Sequence, residues 1–284
     1  MLSTAAKIRI ARMMYLVLHG LRLPFGGKDR VQVRCRGVMW NLDLREGIDL
    51  TIYVLGAFEP DTLAALESLV RPGATVIDVG ANIGAHTMHL ARLVGEGGRV
   101  IAFEPTDFAI EKLRKNLQAN PGLERRVEVQ QKFLVAEAGA PVDQAVASSW
   151  PVDGTEPDDA QMGSRAMNVS GASAVTLDAA VSGLGNPDIQ LIKMDVDGHE
   201  LEVLQGGRAL ITRCRPTIVM ELAPYVFHPD EKFDQMVKFL VSLQYSFQPL
   251  GSKRSLPKDP SALRAQIPAG GSVNVVALPG PPAR

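Results

Sequence analysis

The segment that most constrains how this chain folds lies between residues 74 and 84. An apolar strand at 74–79 runs straight into Gly80-Ala81-Asn82-Ile83-Gly84, and a helical pattern follows over 84–94. A strand fed through a tight glycine turn into a helix has to be met by a second, parallel strand on the same sheet. The sequence supplies it at 99–103, followed by a helix over 107–120 with Ile110, Leu113 and Leu117 on one face, ended by Pro121-Gly122. The alternation then continues with a strand at 127–135, a helix at 176–181, a strand at 189–194, a helix at 200–210, a strand at 217–222 and a helix at 231–243. Residues 245–248 and 273–278 close it as an antiparallel hairpin pair. This pattern predicts an α/β fold, a mostly parallel sheet with helices on both faces.

Two stretches stand outside the alternation. Residues 1–72 form an N-terminal extension, with an amphipathic helix over 5–23, short strands at 31–44 turning at Arg36-Gly37, and a helix that Glu59-Pro60-Asp61 opens. Residues 73–281 form the main domain, interrupted at 138–174, where periodicity gives way to Gly, Pro, Ser and Asp. A connection of that length is read as an insertion or lid, since loops beyond about 12–15 residues are usually functional or disordered.

Composition excludes several classes of function. With 46% hydrophobic and 21% charged residues the chain can bury a core, which rules out wholesale disorder. Its 30 basic and 31 acidic side chains leave a net charge of -1, so no global field draws it to nucleic acid, and a nucleic-acid substrate is not expected. Cys35 and Cys214 are too few for a disulfide framework and read as reduced thiols of a cytoplasmic chain. The first 48 residues carry nine basic side chains against three acidic ones. That cluster is either a solvated face or a peripheral contact with a membrane surface through the basic N-terminal helix. The apolar run Met13–Leu18 is too short to span a bilayer, which takes about 18 residues or more.

In an open α/β sheet, ligands bind beyond the carboxyl ends of the strands. After the first strand stands Asp78-Val79-Gly80-Ala81-Asn82-Ile83-Gly84. Its Gly-x-x-x-Gly spacing matches neither the dinucleotide fingerprint nor the phosphate loop, which leaves a nucleoside without phosphates. Glu104 ends the second strand, where a carboxylate can accept hydrogen bonds from both ribose hydroxyls. Asp78 either joins that site or holds the turn from below. Phe133, after the third strand, sits where an adenine ring can lie, although an aromatic beside a strand also reads as core.

These residues carry a resemblance. Asp78 to Gly84, Phe103-Glu104-Pro105 and Lys193-Met194-Asp195-Val196-Asp197-Gly198-His199-Glu200, in that order and spacing, resemble the FkbM family of S-adenosylmethionine-dependent methyltransferases. Thr176-Leu177-Asp178 also matches, and Asp197 departs from the family's usual Glu. The resemblance implies a class I methyltransferase, Rossmann-like fold. It also implies S-adenosylmethionine as donor, leaving S-adenosylhomocysteine, and O-methylation of a hydroxyl on a small molecule, sugar or lipid.

An alcohol becomes a competent nucleophile when a base takes its proton. Asp195, ending the fourth strand, either orients the amino-acid part of the donor or accepts that proton, and His199 and Glu221 are the other candidate bases. Each has a structural reading as well, a helix-start cap for His199 and a salt bridge for Glu221. Glu59, before the Pro60 helix, either reaches the donor's ammonium or complements the helix dipole. No metal is expected, on the argument that alternate residues in a tight turn do not converge on one ion. His86 and His89 read as ordinary helix histidines. A catalytically silent binding module is the alternative, and Gly80, Gly84, Glu104 and Asp195 together argue against it. Oligomeric state is left unassigned.

Overall fold

A computed structural model of the chain describes residues 4–159, 163–227 and 231–281. Part of the 138–174 insertion, residues 160–162, therefore lies outside the described residues. The chain opens with α1 (Thr4–Arg22), β1 (Arg30–Cys35), β2 (Val38–Asp43), α2 (Gly47–Leu55) and α3 (Pro60–Leu69). Next come β3 (Thr75–Val79), α4 (Thr87–Val94), β4 (Arg99–Phe103), α5 (Asp107–Gln118), α6 (Pro121–Glu124) and β5 (Val127–Gln130). Four short strands follow: β6 (Lys132–Leu134), β7 (Ala145–Ser149), β8 (Arg165–Asn168) and β9 (Ser173–Val175). The second half contains α7 (Leu177–Ser182), β10 (Ile189–Met194), α8 (Glu200–Gly206), α9 (Arg208–Cys214) and β11 (Thr217–Leu222). It closes with α10 (Glu231–Ser242), β12 (Tyr245–Pro249), α11 (Pro260–Arg264) and β13 (Val273–Pro279).

Seven strands form one sheet in the order β12-β13-β11-β10-β3-β4-β5. The neighbours from β11 through β5 are parallel, and β13 runs antiparallel to both β11 and β12. Alternation along each strand explains the two helix layers. On β3 and β10, Ile77, Val79, Ile192 and Met194 pack with α7 to α10, whereas Val76 and Leu191 pack with α3 and α4. The chain steps outward from β3 to β4 and β5, then crosses to β10. The crevice between the carboxyl ends of β3 and β10 is thus the switch point at which such sheets bind ligands.

The sequence pattern and the structure part company in four places. The helix expected from residue 84 begins at Thr87, because Gly80, Asn82 and Gly84 all hold positive φ and keep the preceding segment a turn. The strand expected over 127–135 divides: β5 stays in the sheet and β6 turns away to pair with β9. The helix expected over 200–210 is two helices meeting at Gly206-Gly207. A Cβ on Gly206 would stand 2.1 Å from the Val135 carbonyl oxygen, and one on Gly207 would stand 2.8 Å from Leu177. Residues 47–55, which carry no helical signal of their own, form α2 because Asp49, Leu50 and Ile52 are buried by packing.

Packing also fixes the extension. Asn116 on α5 and Asn120, between α5 and α6, act as a substitute strand for the β2 edge. Their Oδ1 atoms accept from the Asn41 and Met39 amides, each at 2.8 Å, and Asn120 Nδ2 donates to the Met39 carbonyl at 2.7 Å. Buried Asp49 on α2 accepts from Lys112 Nζ of α5 at 2.8 Å.

Candidate active site

A cavity of about 940 Å³ opens over the carboxyl ends of β3, β4, β10 and β11. Gly80 forms its floor. Its φ is +78°, and a Cβ there would lie 1.9 Å from the Asp195 carbonyl oxygen, so β3 and β10 come this close only over glycine. Beneath the floor is Lys193, 4% exposed in the middle of an apolar strand. Its Nζ lies 3.5 Å from Asp195 Oδ2 and 3.7 Å from Asp78 Oδ1. Burial draws its pKa down, but Asp195, Asp78 and Glu59 outweigh that and hold the ammonium charged.

Toward β4 the cavity narrows around Glu104. Its Oε1 accepts from the Thr106 amide at 2.9 Å and the Thr106 hydroxyl at 2.6 Å, and its Oε2 accepts from the Asn82 amide at 2.9 Å. A carboxylate offers about four acceptor positions, so one is left, on Oε2. Three of those positions on Glu104 are thus already engaged by the protein. Asn82, with φ +47°, donates from Nδ2 to the Ser148 carbonyl at 3.1 Å, which ties the glycine turn to β7 of the insertion. The insertion is tied in turn to the extension: the Ser149 hydroxyl and the Trp150 amide both donate to Glu46. Phe133 lines the same end and meets the His199 ring edge-on at 5.4 Å.

At the opposite end stand the carboxylates. Asp195, Asp197 and Glu221 each present an oxygen within 4.8 Å of the others, and Glu59 lines the same wall. Burial first and the Asp195 charge second raise the pKa of Glu59, of Asp197 and of Glu221, the last to about 8. The turn from 195 to 199 is held by Glu200, which accepts from the Val196 amide at 3.2 Å and the Gly198 amide at 3.0 Å. Asp197 takes a left-handed φ of +47°. That twist brings two alternate residues of the turn together, contrary to the geometric expectation. The gathering of acids by itself assigns no ion.

Comparison with known proteins decides the family. A family model described as the methyltransferase FkbM domain matches residues 78–247. The chain belongs to the FkbM methyltransferase family. S-adenosylmethionine is the methyl donor of this family. A hexuronic acid methyltransferase, AglP of Haloferax volcanii, is 28% identical over 152 residues, which are 52% of this chain and 56% of that protein. The chain therefore spans a little over half the length of that curated relative. Among solved structures, a putative rRNA methylase from Clostridium thermocellum aligns at 14% identity and TM-score 0.47, over 79% of this chain and 96% of that one. A methyltransferase FkbM from Methylobacillus flagellatus aligns at 16% identity and TM-score 0.43, over 76% of this chain and 50% of that one.

The residues of this FkbM chain fit the donor in two respects. Gly80 lies on the cavity floor and lets β3 close on β10 without a Cβ meeting the Asp195 carbonyl, and Glu104 keeps a buried acceptor position facing the cavity. Of the residues singled out in the sequence, Glu59, Gly80, Asn82, Glu104, Phe133, Asp195, His199 and Glu221 all line the cavity. Asp78 and Gly84 do not. Asp78 is fully buried, takes the Thr87 hydroxyl at 2.6 Å and holds the turn from below. A Cβ on Gly84 would stand 2.7 Å from Leu113, so Gly84 admits helix α5 rather than a ligand.

Two residues of the site were passed over in the sequence. Lys193 could have been found as the one charged residue of β10, since lysine is almost never buried without partners. His86 is 3% exposed, lines the cavity with its ring 5.8 Å from Phe58, and brings Nε2 to 3.9 Å from Glu59. Its neighbour His89 turns instead toward Trp40, so the two do not act as a pair.

Proposed function

We propose that this protein methylates a hydroxyl oxygen of an uncharged sugar-bearing acceptor, with S-adenosylmethionine as donor and Glu221 as the proton acceptor. Residues 73–281 form the catalytic domain in this reading, and residues 1–72 together with the 138–174 insertion cover it. The observation that carries the proposal is the convergence of Asp195, Asp197 and Glu221 on the far side of the glycine turn, inside one cavity.

Bound S-adenosylmethionine supplies a methyl group activated for displacement by its sulfonium. The chain does the rest. Gly80 keeps β3 and β10 close beneath the donor, Glu104 accepts from one ribose hydroxyl, Phe133 flanks the base, and Asp195 with Glu59 faces the ammonium of the amino-acid part. Lys193 offsets the charge of those acids from below. Glu221, with its proton affinity raised toward neutrality, takes the proton of the acceptor hydroxyl. His199, drawn toward Phe133 and Asp143, belongs to the insertion side of the cavity in this assignment. The relative that methylates a hexuronic acid supports a sugar acceptor. Lys193, the cation of this wall, is buried among Asp195, Asp78 and Glu59, so a uronate carboxylate finds no free cation there among the described residues whereas neutral hydroxyls find acceptors, which favours an uncharged sugar.

Titration calorimetry with S-adenosylhomocysteine, with NAD as control, tests the donor half. Saturable binding of the first alone is expected, weakened at least about tenfold in Glu104→Ala, the usual scale for a hydrogen bond to a charged group. A folded protein that binds no S-adenosylhomocysteine would overturn the assignment. The acceptor half is tested by transfer of labelled methyl to matched neutral and uronate sugars, where preference for the uronate would defeat it.

A further inference from the structure

Helix α1 has two apolar faces. Ala11, Met14, Tyr15 and Leu18 pack into the core against β2, α2 and α5. On its other side Ile10, Met13, Val17 and Leu21 recur at helical spacing and are all exposed, Leu21 at 65%. Leu16 and, in the turn that follows, Leu23 and Phe25 extend the exposed surface, Phe25 at 90%. A row of large apolar side chains this long is far more than the single exposed residues of an ordinary surface.

Charge says what covers it. The segment Thr4–Arg22 contains Lys7, Arg9, Arg12 and Arg22 and no acidic residue, and Lys28 follows it. Arg9 is exposed beside the apolar row. A second copy of the chain is a poor occupant, because the helix brings no carboxylate to meet Arg9 across a twofold contact through this face. An anionic lipid surface answers both features, apolar side chains entering the acyl boundary and basic ones meeting headgroups.

We propose that the outer face of α1, with Phe25, docks this protein on an anionic bilayer. The inward side of the same helix borders the catalytic cavity. Ile8 and Ala11 of α1 line that cavity, and Leu55 of α2 both lines it and is 55% exposed beside Val54. Docking therefore sets the helix that borders the cavity at the lipid–water interface, where acceptors carried by lipids are found. Among the described residues no helix is long and apolar enough to cross a membrane, which is consistent with a helix lying in the interface plane.

The test is co-sedimentation of the full chain with phosphatidylcholine vesicles and with vesicles that also contain phosphatidylglycerol. Binding to the anionic vesicles is expected, weaker on pure phosphatidylcholine and falling as salt is added. The double variant Val17→Asp/Leu21→Asp should lose at least about tenfold of it. The same variant should keep its circular dichroism and its S-adenosylhomocysteine affinity, so misfolding or failure of the methyl-transfer reading would be visible separately. Val17→Leu should bind as wild type does. The proposal fails if wild type ignores both vesicles or if the double variant binds equally. It also fails if light scattering finds a dimer that the double variant breaks, which would assign the face to a second copy.

Discussion

At the residue scale, Glu221 is where pH should act most directly on turnover. Its carboxyl, buried at the end of β11 and beside Asp195, is held up at about 8. A proton acceptor works only when deprotonated, so kcat/KM should rise as the pH passes through about 8. Glu221→Gln should flatten that rise and lower kcat by about 10²–10⁴, the usual worth of such a base, with the donor's affinity little changed. A variant that keeps the wild-type profile would move the role to Asp195 or His199. Asp195, Glu104 and Gly80 were legible in the sequence because each sits at a predicted strand end, where position alone implies exposure to a ligand. Asp78 and Gly84 share the same motif but lie off the cavity, and nothing in the letters separates a glycine that lines it, as Gly80 does, from one that only admits Leu113. His86 was illegible for the opposite reason: its burial against Phe58 and Glu59 is created by α3 folding back from the extension.

At the scale of elements, the β1–β2 hairpin is attached to the catalytic domain by the apolar packing of Val38, Trp40 and Leu42 and by the polar side chains of Asn116 and Asn120. Asn116 gives Oδ1 to the Asn41 amide and Nδ2 to the Ile83 carbonyl at 3.0 Å, and it is fully buried. Asn116→Ala leaves both partners without a bond, and each unsatisfied buried group costs about 1–3 kcal/mol. A Tm several degrees lower is expected, with faster hydrogen exchange at Met39 to Asn41, and unchanged exchange there would show that apolar packing alone holds the hairpin. The main strands were readable from period and punctuation. The β7–β8 hairpin was not, because Ala145-Val146-Ala147-Ser148-Ser149 alternates too weakly to announce a strand. Its position comes from bonds to Asn82 and Glu46, more than 60 residues away.

For the whole molecule, the acidic wall makes stability depend on pH in an unusual direction. Burial raises Glu200 to about 7 and, with the Asp195 charge, Glu221 to about 8. Both groups bind protons more tightly folded than unfolded, where a glutamate titrates near 4.3. Their contribution is present in full below that value and is lost as pH rises through about 7 and 8. The ligand-free protein should therefore melt a few degrees lower at pH 8 than at pH 5.5, and saturating S-adenosylmethionine should narrow the gap through its own positive charge. Equal melting temperatures at both values would show that these acids are relieved in the free protein.

The place of β13 in the sheet has a further consequence, for the order in which the molecule is made. This last strand among the described residues lies between β11 and β12, and β12 pairs with no other neighbour. Until residues 273–279 leave the ribosome, β11 is an open edge and β12 has nowhere to join, so the half of the sheet under α10 cannot close during synthesis. The same strand sets Asn274 opposite Glu221. The wall that carries the proposed base is thus finished last, and a nascent chain holds its donor turn well before it holds a complete catalytic site.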